Sequence, residues 1–191
     1  MNEEITEENQ IDDNHGFKEE VEYAGFWIRV GAALLDFLVF IPIIAFGFYN
    51  LLSLKSITLL YIITVASQLY KPLMEWKYGA TLGKMACKIQ VVNYDLGKIN
   101  IDQAFGRYIP WVLSGVLQLL SATAIYNSSG FAAIDTFEEM GSMSQEGSSI
   151  DMVIQIYNII FFIFVGSLVF DKHKRGFHDK IAKTQVIKIS K

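Results

Sequence analysis

Residues 30–48 read VGAALLDFLVFIPIIAFGF, nineteen residues broken by a single charge, Asp36. Crossing the hydrocarbon core of a bilayer takes about 20 mostly apolar residues in a helix, and this run supplies them. Working outward, Tyr108–Tyr126 and Met152–Phe170 are each 19 residues long and carry no charge. Ser56–Tyr70 is uncharged but short. It reaches spanning length once Leu51–Leu54 and a snorkelling Lys55 are added. The reading is four spans, over about 28–48, 52–70, 108–126 and 152–170.

Composition points the same way. Of 191 residues, 52% are apolar and 19% charged, against about 25% charged in an average soluble domain. A soluble domain of this length has too little interior to hide so much apolar surface, and lipid removes that difficulty. The net charge of −4 conceals a segregation. Residues 1–25 hold nine acidic residues against Lys18 alone, so 1–22 is expected to be a disordered acidic arm. It lacks the basic start and short apolar run of a secretory signal, and the first apolar run is therefore read as a retained anchor. Cys87 is the single cysteine, which excludes an intramolecular disulfide and a cysteine-based metal cluster.

Basic residues orient membrane helices, because they are retained on the cytoplasmic side. Lys18 and Arg29 precede the first span, six bases from Lys71 to Arg107 separate the second and third, and seven follow the fourth. That puts 15 of 16 bases on one side and only Lys55 on the other. The loop 127–151 carries five acids and no base. The chain is expected in the cell (inner) membrane, multi-pass, with both termini cytoplasmic. Anionic lipid headgroups are expected partners at its basic face.

Between the middle spans, Leu73–Cys87 reads as an interfacial amphipathic segment with Trp76 and Tyr78 at headgroup level. Lys88–Asn93 reads as a short strand, Tyr94–Lys98 as a turn containing Gly97, and Ile99–Ile101 as a return strand. Thr184–Ile189 has the same β-branched character and is a candidate third strand. The expected fold is all-α transmembrane. It is a four-helix membrane domain with a small cytoplasmic β-hairpin or sheet and an interfacial amphipathic segment.

Asp36 carries the most information about function. A carboxylate at bilayer depth costs about 2.5–3.5 kcal/mol on insertion scales and tends to face protein or water. Arg29 lies two helical turns earlier, a rise of about 10 Å, so a direct bond between them is not expected. Each is expected to meet another segment or an ion, and Arg107, opening the third span, is the candidate partner for Asp36. Two readings of Asp36 remain open. Either it is a neutralised structural lock between helices, or it is a proton- or cation-exchanging carboxylate whose acidity burial has weakened.

Other motifs carry less. His173 and His178 with Asp179 sit among four Lys or Arg residues in the tail 171–180, a poor surrounding for a metal cation. A lipid-facing basic stretch is the default there. Gly79-Ala-Thr-Leu-Gly83-Lys84-Met85 has three residues between its glycines, where a phosphate loop has four, and Met where that loop has Ser or Thr. No nucleophile–base pair, dinucleotide fold or nucleic-acid surface is evident, and neither enzyme activity nor a cofactor is expected.

Several spaced blocks together resemble the RDD family of bacterial membrane proteins. They are Ala24-Gly-Phe-Trp-Ile-Arg29 followed by Asp36, then Gly79-Ala-Thr-Leu-Gly83-Lys84, then Arg107, then Arg175-Gly-Phe-His-Asp179-Lys180. The family is named for one arginine and two aspartates, which the resemblance assigns to Arg29, Asp36 and Asp179. It covers roughly Tyr23 to Ile187 within a membrane domain placed at 23–191, and implies that Gly79–Lys84 leads into a short cytoplasmic hairpin. Some relatives are associated with exchange of monovalent cations for protons; others look like accessory or scaffold modules. The long acidic loop 127–151 departs from the short connection the resemblance implies.

Two functions follow as expectations. One is monovalent cation/proton exchange, with Asp36 as the carrying carboxylate, Arg29, Arg107 and Asp179 as its charge partners, and a homo-oligomer as the working unit. The other is a non-enzymatic membrane adaptor, scaffold or assembly factor, with a membrane-protein partner and the same Arg and Asp residues as a polar lock.

Overall fold

A computed structural model describes residues 21–136, 138–139, 141 and 149–189. The expected disordered arm, 1–22, lies almost wholly outside these residues, as does the middle of the loop 127–151. In lipid every backbone polar group must be satisfied within the chain, so the apolar runs become helices. Among the described residues, four helical stretches are long and apolar enough to cross a membrane: Phe26–Leu54, Ile57–Tyr78, Ile101–Tyr126 and Ile150–Phe170. The shortest, 21 residues, is about 31 Å long at 1.5 Å per residue, close to the roughly 30 Å hydrocarbon core.

The first stretch comprises α1 (Phe26–Tyr49) and a π-helical turn, Asn50–Leu54. Lys55 then takes a left-handed conformation (φ +48°) that ends the run. The Ser56 hydroxyl accepts the Leu59 N–H and opens α2 (Ile57–Tyr78). Leu51–Leu54 thus belongs to the first span, where the sequence reading gave it to the second. The second helix gains its length at the other end, eight residues beyond Tyr70.

That extension also revises the amphipathic segment. Leu73–Tyr78 is the last part of α2, and Leu82–Ala86 forms a separate short helix, α3. Gly79, at φ +72°, ends α2 between them. A Cβ at Gly79 would also sit 2.5 Å from the Gln90 side-chain nitrogen, so both backbone and space favour glycine.

Strand β1 (Ile89–Asn93) follows, and its partner is the C-terminal strand β2 (Thr184–Lys188). The two are antiparallel, with Ile89 opposite Lys188 and Asn93 opposite Thr184. Tyr23 bridges Ile187 on the other side, and the Ala24 N–H donates to the Val186 carbonyl. The expected return strand Ile99–Ile101 is not one. Asn100 caps α4 (Ile101–Tyr126): its side chain accepts the Gln103 N–H at 2.7 Å while the Gln103 side chain accepts the Asn100 N–H at 3.1 Å. This reciprocal cap commits the chain to helix where a hairpin would need an extended residue. The small sheet therefore pairs the middle of the chain with the strand Thr184–Lys188, with an added bridge from Tyr23, and is not a local hairpin.

After α4 come α5 (Ser149–Gly166), a tight turn at Ser167–Phe170, and a short helix α6 (Phe177–Ile181) before β2. Helix α4 packs on both α2 and α5, and α1 packs chiefly on α3. The most buried apolar side chains, including Ala24, Ala32, Ile89, Val91, Ala104 and Val186, gather at the sheet end. Along the spans large apolar side chains stay exposed, Phe162 by 80%, as expected of surfaces that meet lipid.

Candidate functional site

Four charged residues of the spans, Arg29, Asp36, Glu75 and Arg107, converge at the sheet end. Arg29, one turn into α1, sends three donors in three directions. Nη1 meets Asp179 Oδ2 at 2.7 Å, Nε meets the Ala24 carbonyl at 3.0 Å, and Nη2 meets the Lys174 carbonyl at 2.5 Å. Asp179 is fully buried, and its other oxygen lies 2.8 Å from Arg107 Nη2 of α4. Its Oδ2 also accepts the Gly176 N–H at 3.1 Å, which closes the first turn of α6. Burial alone would weaken the Asp179 acid. Arg107, His178 and Arg29 outweigh it and hold the carboxyl well below the usual carboxylate range.

Arg107 continues the chain of charges to Glu75 of α2, with Nε 3.3 Å from the carboxylate, and Lys84 of α3 pairs with the same carboxylate. Burial pulls the Lys84 ammonium below the usual lysine range, against the opposing pull of Glu75. Five buried or nearly buried charges, Arg29, Asp179, Arg107, Glu75 and Lys84, thus run across α1, α6, α4, α2 and α3. Removing one member would strand its neighbours without compensation, at about 3–5 kcal/mol. Next to them, burial lowers the His178 imidazole to about 4, with Asp179 opposing. The His178 ring stands edge-on to Trp111 at 5.0 Å between centroids.

Asp36 is held differently. It is 4% exposed, and neutral groups surround it. The Thr81 hydroxyl donates to Oδ2 at 2.6 Å, the Gly83 N–H to Oδ1 at 2.8 Å, and the Tyr70 hydroxyl to Oδ1 at 3.3 Å. Among the described residues no Lys, Arg or His nitrogen lies within 4.0 Å of it. Arg107, the expected partner of Asp36, pairs with Glu75 and Asp179 instead. Gly83 makes the arrangement possible, since a Cβ there would come 2.0 Å from the Ala32 carbonyl oxygen on α1. The Gly79–Lys84 block is thereby accounted for: Gly79 ends α2, Thr81 and Gly83 bind Asp36, and Lys84 binds Glu75.

Asp36, Arg29, Glu75, Lys84, Arg107 and His178 border one cavity of about 180 Å³, together with Lys71. Most of its remaining wall is apolar, from Phe26 and Val30 on α1, Trp111 on α4, Val165 on α5 and Leu168 in the turn that follows, with Thr81 and Tyr108 as polar members. Arg107 Nη1 and His178 Nδ1 are buried and have no hydrogen-bond partner among the described residues.

Sequence reasoning passed over Glu75, although it is the only acid between Asp36 and Asp95. It also passed over Asn50, which is 1% exposed at the opposite end of the bundle. The Asn50 side chain exchanges hydrogen bonds with the Ser56 backbone at 3.0 and 3.1 Å and donates to the Tyr126 hydroxyl at 3.2 Å. Nearby, Lys55 reaches the Ala132 carbonyl and Asp135.

Fold and site together define a multi-pass helical membrane protein with a charge network at one end. The family model for the RDD family matches residues 23–183, and the chain belongs to that family. It is similar to the Uncharacterized protein YckC of Bacillus subtilis (strain 168), 36% identical over 89 residues, 45% of this chain and 57% of that protein. The match thus spans little more than half of that relative's length. No solved structure matches the chain.

Proposed function

We propose that this chain is a non-enzymatic membrane scaffold whose Arg29, Asp36, Arg107 and Asp179 are a polar lock joining spans, Gly79–Lys84 block and tail. The observation that carries this reading is the commitment of both carboxylates. Asp36 has three neutral donors on it, and Asp179 has two arginines. Neither has the loosely held, water-facing character that a carrier needs. The chain sits in the cell membrane with its sheet end and both termini in the cytoplasm, following the distribution of its bases. The acidic arm and basic tail recruit the partner, a second copy of this chain or another membrane protein. Crosslinking in intact membranes tests this. A reproducible crosslinked species that disappears when residues 2–20 are deleted is expected. A chain that crosslinks to nothing, or equally well without the arm, overturns the proposal.

One observation favours a second reading, monovalent cation/proton exchange: Asp36 borders a cavity that other titratable groups share. Purified protein in liposomes containing a pH-sensitive dye separates the two. The scaffold reading expects no pH change on adding Na⁺, K⁺ or Li⁺. A cation-driven change lost in Asp36→Asn would establish exchange and remove the scaffold reading.

A further inference from the structure

We propose that the 180 Å³ cavity at the sheet end is a lipid site, taking the phosphodiester headgroup of an anionic lipid with its hydrocarbon against the apolar wall. The inference is independent of whether the chain is a scaffold or an exchanger.

Charge decides the sign of the ligand. Four bases, Arg29, Lys71, Lys84 and Arg107, stand in or at the cavity against three acids, Asp36, Glu75 and Asp179. A cation entering would add to the excess of positive charge; one anion cancels it. The donors also remain open to an anion. The Glu75 and Asp179 carboxylates lie within ion-pair distance of the Nε and Nη2 of Arg107, which form one edge of the guanidinium. Nη1 lies on the opposite edge, without a partner among the described residues, on a side chain only 5–6% exposed. A buried N–H left unpaired is unfavourable, and a phosphate oxygen would satisfy it. Lys71 borders the same cavity with no acid in ion-pair distance among the described residues, and offers a second, flexible donor. Asp36 is already counted among those acids, and its oxygens are occupied by the Thr81 hydroxyl, the Gly83 N–H and the Tyr70 hydroxyl, so it does not draw on the donors left for an anion.

The other wall selects the source of the phosphate. Phe26, Val30, Trp111, Val165 and Leu168 would be wasted on inorganic phosphate, which keeps its hydration on every face. They suit the carbons that adjoin a lipid phosphodiester. Phe26 and Val30 belong to α1 and Val165 to α5, helices that pack chiefly on different partners, α3 and α4. The volume fits a phosphate and its first carbons, and the acyl chains remain in the bilayer.

Native mass spectrometry of the full-length protein in detergent tests the site, with dioleoylphosphatidylglycerol and dioleoylphosphatidylcholine as probes. The expected result is about tenfold greater retention of the anionic lipid, and about a fivefold drop in Lys71→Gln, one Lys–headgroup contact. Val165→Trp, which fills the apolar wall, lowers retention of the same lipid, and millimolar inorganic phosphate does not displace it. Lys172→Gln with Lys174→Gln, two exposed lysines outside the cavity, keeps the preference. Melting temperatures identify variants that fail to fold. Equal retention of both lipids overturns the proposal, as does a preference lost with Lys172 and Lys174 but unaffected by Lys71→Gln and Val165→Trp. Displacement by inorganic phosphate overturns the lipid assignment and makes the cavity a free-phosphate site.

Discussion

The guanidinium of Arg29 lies 2.7 Å from the carboxylate of Asp179, across 150 residues of sequence. Because Asp179 also holds Arg107 at 2.8 Å, one buried carboxylate ties the first helix, the third span and the tail together. The sheet repeats that closure in backbone form, with Tyr23 and Ala24 on one side of β2 and β1 on the other.

Asp179→Asn keeps the shape of the side chain and removes its charge, leaving Arg29 without its carboxylate and Arg107 with Glu75 alone. The expected cost is about 3–5 kcal/mol. It is read as a large fall in melting temperature and in folded yield from membranes. An unchanged melting temperature would show that the tail is not held by this pair.

Gly83→Ala forces a Cβ to within 2.0 Å of the Ala32 backbone oxygen, so α3 must leave α1. Gly31→Ala on α1 meets only ordinary van der Waals contact, Cys87 Sγ at 3.9 Å, and gains up to about 1 kcal/mol of helix propensity. Thermal melts of the two variants should move in opposite directions.

Acid should weaken the sheet end in two steps. Burial lowers the His178 imidazole from its usual 6.5 to about 4. Between those values the unfolded chain binds a proton that the folded chain does not. Stability therefore falls as pH drops through that window, by up to about 1.4 kcal/mol per unit. Asp179 and Asp171 are both depressed, the latter despite burial because Lys180 and Arg175 hold its charged form. Their contribution is full above the ordinary carboxylate range and is lost as pH falls below it. Melting curves of His178→Asn should be flatter between pH 6.5 and 4 and keep the loss at lower pH.

Orientation has a direct check. In a Cys87→Ser background, Ser129→Cys should react with a membrane-impermeant maleimide added to intact cells, and Asp95→Cys should react only after lysis. Both side chains are exposed, at opposite ends of the bundle. The reverse pattern would invert the topology.

The spans were legible because hydropathy acts over about 20 residues and lipid leaves the backbone no alternative to helix. Their ends were less so. The Ser56 cap and the left-handed Lys55 decide where α2 begins, and both are single-residue signals beneath an apolar average. At Ile99–Ile101 alternating β-branched residues suggested a strand, while the Asn100–Gln103 capping pair, equally visible in the sequence, fixed a helix. Asp36 stood out as a lone charge, and a search for its partner among other charges missed Thr81, Tyr70 and a backbone N–H. Glu75 was hidden by the amphipathic reading of its surroundings, since a charge near a membrane surface is usually solvated. Only the fold brings it between Arg107 and Lys84.

The central claim is that Asp36 fastens the Gly79–Lys84 block to the first span. A double-mutant cycle of Asp36→Asn and Thr81→Val, read from reversible unfolding in mixed micelles, tests it most directly. The 2.6 Å bond between them predicts a coupling of about 1–3 kcal/mol, each single variant losing stability. Additive effects, with Asp36→Asn as stable as the parent protein, would contradict it.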